Sequence, residues 1–178
     1  MAGVSGSESV RLAAVAVLDQ GAAFIDGLTD EAYTAGAETV GGSTIGQHVR
    51  HALDHFVALL DAYESEGSSS VPVAYDRRVR GTDLETNRAS ALDKISAVRT
   101  QLGALDDVQL AWPVKIRVLP TADGPEVDLD STLVRELAFV THHAIHHFAM
   151  CKTCCREVGA SCEETFGRAP STVAFERS

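Results

Sequence analysis

The chain has too little positive charge to be a natural partner of polyanions. Its 15 lysines and arginines stand against 25 aspartates and glutamates, a formal net charge of -10 with an isoelectric point near 5.0. No global positive field exists to hold nucleic acid or an anionic membrane, so neither is an expected partner. Long apolar runs are also lacking: Leu12 to Leu18 and Val140 to Met150 are too short or too polar to span a bilayer. Met1 to Val10 has no basic segment leading into an apolar stretch, so no secretory signal is read there. No internal repeat and no second domain is visible. What remains, 178 residues at 45% hydrophobic content and a mean hydropathy of +0.02, suits one compact cytoplasmic domain with a real core.

Cysteines spread along the chain as staples are missing as well. All four, Cys151, Cys154, Cys155 and Cys162, fall in one short stretch, and three of them share an expected helix. Neighbouring thiols on a helix rarely reach disulfide geometry, so reduced thiols are expected. Cys151 and Cys154 have zinc-like spacing, but no second Cys-x-x-Cys or histidine pair completes a four-ligand set.

Four helices can be read from periodicity and caps. Ser9 to Leu28 repeats apolar residues at helical spacing, with Leu12, Val15, Leu18, Phe24 and Ile25 near one face. Thr44-Ile45-Gly46-Gln47 has the form of a capping box, opening a second helix to about Glu66. Gly67-Ser68-Ser69-Ser70 breaks it, and Val71 to Gly81 reads as an extended, charged loop. Thr82-Asp83-Leu84-Glu85 reads as another capping box, opening a third helix to about Leu102. Between Trp112 and Leu129 the alternation of Val114, Ile116 and Val118, followed by Asp123-Gly124, predicts a hairpin-like excursion. A fourth helix is expected from about Ser131 to Val158, with an irregular tail over 159–178. The expected fold is all-α, a four-helix bundle with one long crossover, the bundle proper covering about 9–158.

The seven histidines fall in two groups: His48, His51 and His55 on the second helix, and His142, His143, His146 and His147 on the fourth. Isolated histidines usually serve packing or pH sensing, but a whole complement gathered on two helices points to a metal site. On the fourth helix, the pairs His142/His146 and His143/His147 each share a face. The apolar arc is centred near Leu137, Ala144 and Phe148. His143 and His147 flank that arc, while His142 and His146 lie close to the opposite side. On the second helix the arc through Ile45, Val49, Phe56, Leu60 and Tyr63 slightly prefers His48 or His55 and does not choose between them.

The run from Ser43 to His51, the His-x-x-His-His pattern at His143 to His147 and the spacing between them resemble the DinB-like metal-binding four-helix-bundle family. Its members include bacillithiol transferases and the mycothiol-dependent maleylpyruvate isomerase. The resemblance covers most of the chain, from the first helix to Val158. It implies one metal ligand on the second helix and two, four apart, on the last, which would be His51, His143 and His147 here. Asp54 and His55 follow at positions where relatives often carry polar residues, which allows them a supporting role. The segments Arg135 to Val140, Tyr75-Asp76-Arg77 and Phe166 to Thr172 look like a separate branch, and fold alone does not imply its substrate.

Three neutral imidazoles leave a divalent ion its full charge and open positions for water or substrate. Zinc, nickel, iron or copper would suit such a site. An ion so held can lower the pKa of a water or hold a thiol as its thiolate, which fits thiol transfer or hydrolysis of a small-molecule substrate, including a low-molecular-weight thiol. His55 or a loop arginine is expected to assist, His55 as a general base. The competing reading is a non-catalytic metal-binding or stress-response protein. The Glu-x-x-His motif of di-iron bundles is missing, since Phe139 follows Glu136 by three residues. Arg77, Arg78 and Arg80 can hold a substrate carboxylate or phosphate, although a solvated loop paired with Asp76, Asp83 and Glu85 is the expected arrangement. Bundles with apolar outer faces often pair, so a homodimer is a further expectation.

Overall fold

The computed structural model describes residues 4–64, 71–77 and 79–176. It is mostly helical, with two small antiparallel sheets. In chain order the elements are α1 (Gly6–Asp26), α2 (Asp30–Thr34), β1 (Gly36–Ala37), β2 (Ser43–Thr44), α3 (Ile45–Glu64), α4 (Arg88–Ala104), α5 (Asp107–Leu110), β3 (Pro113–Val118), β4 (Val127–Thr132), α6 (Leu133–Val158) and α7 (Pro170–Glu176). Short 3-10 turns lie at Glu38–Val40 and Asp83–Glu85. No described helix is long and apolar enough to cross a membrane.

Packing joins the four long helices in a ring: α3 lies on α6, α6 on α1, α1 on α4, and α4 on α3. Each turns its apolar stripe inward. Leu18 and Ile25 of α1, Phe56 and Leu59 of α3, Ile95 and Leu102 of α4, and Leu137 and Ala144 of α6 are buried together. A fully buried Leu, Ile or Phe contributes about 1.5–3 kcal/mol, so this core dominates stability and fixes how α3 and α6 face each other. That face carries the histidines.

The caps explain where the helices begin. Thr44 and Gln47 form the expected box: Gln47 N–H donates to Thr44 Oγ1 and Thr44 N–H to Gln47 Oε1, both at 3.1 Å. Asn87, rather than Thr82, caps α4, accepting from Ser90 N–H at 3.2 Å. The third helix therefore starts at Arg88, and Thr82 to Glu85 forms only a 3-10 turn in which Thr82 makes no side-chain cap bond. That turn is pressed against the start of α3. A Cβ added at Gly46 would fall on the backbone oxygen of Glu85, so a glycine is needed for this approach.

The hairpin-like excursion is a six-residue ladder, β3 on β4, with Ile116 opposite Leu129 and Lys115 opposite Asp130. It runs directly into α6, which Thr132 caps. The crossover touches it through a parallel bridge from Val73 to Ile116. The tail, expected to be irregular, carries α7. Pro170 stands at the first helical position, where its missing N–H costs nothing. The breaker read at Gly67 to Ser70, the end of the second helix at Glu66, and Arg78 lie outside the described residues.

Candidate metal centre

Successive turns of α3 and α6 bring their histidines together. His143 Nε2 lies 3.0 Å from His51 Nε2. One nitrogen from each of His51, His55 and His143 falls within 4.8 Å of the other two, the sole histidine, cysteine and carboxylate group of this kind among the described residues. His147 closes the other side, with ring centroids 4.4 Å from His51 and 4.6 Å from His143. His51 and His143 are thus central, with His55 and His147 flanking them.

Two imidazole nitrogens bound to one zinc-sized ion lie about 2.9–3.4 Å apart. The 3.0 Å separation of His51 and His143 fits that range, and the donor set is soft enough for zinc and its neighbours. The flanking rings are oriented by their second nitrogens. His55 Nδ1 is 3.1 Å from the carbonyl oxygen of His51, which can only accept, so the neutral ring carries its hydrogen on Nδ1 and its lone pair on Nε2. His147 Nδ1 is 3.1 Å from His48 Nδ1, a contact that reserves His147 Nε2 for other use.

Burial favours the neutral form of His147 and His48. His147 is pushed down to about 3, first by burial and then by the nearby His143, His48, His146 and His55, and burial with His146 also lowers His48. A neutral ring is what coordination requires. A group whose folded pKa is depressed below 6.5 binds protons in the unfolded chain first, so acid favours unfolding. Metal-free protein is therefore expected to lose thermal stability as pH falls from about 6.5 toward 3, and melting curves across that window would check it. A His147→Ala variant should show a flatter profile.

An aromatic wall covers the cluster. Tyr75 stacks on His55, centroids 5.0 Å apart and planes 6° from parallel, and His55 stacks on His143 at 4.1 Å. Phe139 stands against Tyr75 and His143. Tyr75 is held by Glu136, a carboxylate only 2% exposed that accepts from Tyr75 Oη at 3.1 Å, Ser131 Oγ at 2.6 Å and Arg135 Nη1 at 2.7 Å. Burial and the adjacent Glu136 raise the Tyr75 phenol well above its ordinary pKa, so it remains a donor. Sequence reading missed both roles, because 61 residues separate Tyr75 from Glu136 and no local pattern links them.

His142 and His146 are exposed, on the side of α6 away from the core. Replacing both with alanine is expected to leave metal stoichiometry unchanged, as measured by elemental analysis. Asp54, allowed a supporting role by the sequence, is bound by Arg50 at 2.8 Å. Arg77 does not pair as expected: it meets Glu126 at 3.5 Å, while Asp76 accepts from Leu119 N–H and Glu85 accepts from Gly81 N–H and faces Arg50. Cys151, Cys154 and Cys155 are buried and Cys162 half-buried, all as free thiols. Burial raises each, Cys155 to about 12, so they are protonated and inert at neutral pH.

No protein family description matches the chain, and no solved structure matches it. A 100-residue stretch, 56% of the chain, is 32% identical to the FK506-binding protein 5 of Rhizopus delemar. The match spans 26% of that protein's length.

Proposed function

We propose that this chain is a DinB-like four-helix bundle that holds one divalent metal ion on His51, His143 and His147 and uses it on a thiol or a water, as a thiol transferase or a hydrolase. The observation that carries the reading is the 3.0 Å approach of His51 Nε2 and His143 Nε2 across α3 and α6, with His147 beside them. The order of those helices and the pairwise ring of four support the bundle. When bound, the ion supplies Lewis acidity that lowers the pKa of a thiol or water toward neutrality.

The protein's own groups would do the rest. His55 presents Nε2 as a lone pair because its Nδ1–H is given to the His51 carbonyl, which suits it to take a proton. Tyr75 and Phe139 shield His55 and His143 from bulk water, which strengthens every charge interaction inside. The test is a panel of low-molecular-weight thiols with electrophilic acceptors, and of hydrolysable esters and amides, with and without added metal. Turnover that appears with metal, disappears with chelator and falls about 100-fold in His55→Ala with metal retained supports the reading. Equal rates for metal-free and metal-loaded protein would leave a non-catalytic metal-binding protein.

A further inference from the structure

A cleft of about 480 Å³ opens beside the histidines, and most of the side chains lining it can donate hydrogen bonds. Glu85 is the one carboxylate among the residues lining it; its Oε1 accepts from Gly81 N–H at 2.8 Å and lies 3.1 Å from Arg50 Nε, an ion pair that neutralises its charge. Arg50 is paired with two carboxylates, donating from Nη1 to Asp54 at 2.8 Å and standing in ion-pair range of Glu85, while its buried Nε makes no hydrogen bond. Gln47 turns its carbonyl oxygen to Thr44 N–H, which leaves its NH2 as the group it can offer.

Arg80 differs from its neighbours. It lines the cleft, is exposed, and has no carboxylate partner among the described residues. It sits next to Gly81, whose positive φ of 71° and bond to Glu85 fix the turn that brings the arginine to the cleft mouth. His48 adds a further donor. If His147 gives Nε2 to an ion, its hydrogen is on Nδ1 and is donated to His48 Nδ1, so His48 carries its own hydrogen on Nε2. That Nε2 is buried and has no hydrogen-bond partner.

We propose that this cleft binds the carboxylate of a small organic anion, with Arg80 as its counter-ion and the reacting end of the molecule toward the histidines. The inference rests on the proposed metal site in calling that anion a substrate. A cleft rich in donors, with one guanidinium whose charge no described carboxylate balances, matches the planar two-oxygen face of a carboxylate. In a chain of net charge -10, a local unspent cation is also what separates an attracted anion from a repelled one.

The test uses propionate, propionamide and inorganic phosphate as probes. Each is titrated into nitrogen-15-labelled full-length protein, with and without zinc, while the amides of Gln47, His48 and Gly81 are followed by NMR. Propionate should shift those amides and bind at least about tenfold more tightly than propionamide, and Arg80→Gln should remove that preference. Equal response to propionate and propionamide, or an undiminished preference in Arg80→Gln, would overturn the inference, and phosphate binding more tightly than propionate would overturn the carboxylate assignment. Zinc stoichiometry, read on the same samples, reports on the histidine site separately. A chain that takes up no zinc yet selects propionate through Arg80 loses the metal reading and keeps the anion site, and the reverse pattern does the opposite.

Discussion

His51→Ala and His143→Ala are each expected to lower metal affinity by at least about 100-fold, measured by competition with a chromophoric chelator and by elemental analysis of the purified protein. Removing a supporting partner of a metal ligand already costs about 10–100-fold, and these two residues supply the nitrogens that approach most closely. Any metal-dependent turnover should vanish with the ion. His147→Ala and His55→Ala divide the remaining role. Loss of metal in the first and retention in the second assigns the third ligand to His147. The opposite pattern would assign it to His55, whose nitrogen joins His51 and His143 within 4.8 Å. Retention of full stoichiometry in both His51→Ala and His143→Ala would remove the metal centre altogether.

Glu136→Ala should be strongly destabilising, costing about 2–4 kcal/mol. It removes the acceptor of three donors at once, leaves Tyr75 Oη and Ser131 Oγ to find new partners, and opens a void in a site 2% exposed. For a chain of this size that is a fall in melting temperature of roughly 4–16 °C, readable by calorimetry. Tyr75→Phe keeps the stack on His55 and loses one hydrogen bond, so it should cost only about 1 kcal/mol. If Glu136→Ala melts within a degree of the parent, the buried network is not a stabilising element.

The parts of this architecture that were legible are those written locally. Thr44 and Gln47 announce the start of α3 because both halves of their box lie within four residues. The division of the α6 histidines into His143/His147 and exposed His142/His146 follows from helical period against the apolar residues Leu137, Ala144 and Phe148. Thr82 misled because Glu85, which would have closed its box, is drawn off by Arg50 and Gly81, partners that only the folded chain supplies. The Asn87 cap was readable in principle, since Asn suits a helix start. The Asp106 and Gln109 box that opens α5 and the Pro170 start of α7 carried equally local signals. The roles of Tyr75 and Glu136 could not be read in this way. They depend on the crossover being laid along the hairpin, at Val73 and Ile116, and so on contacts distant in sequence.

That hairpin has a consequence for solubility. β4 pairs with β3 on one side, and among the described residues no strand covers the other, so its backbone amides and carbonyls form a template on which a second chain can add. Its exposed Val127 and Leu129 would make such addition favourable. Between and beyond them stand Asp128 and Asp130, each tied across the ladder to Arg117 or Lys115. Edge strands are commonly protected by charge of this kind, because an incoming strand must bury it or meet its like. A chain with asparagine at both positions would keep its histidines, its core and its cleft, and would become prone to joining its neighbours edge to edge.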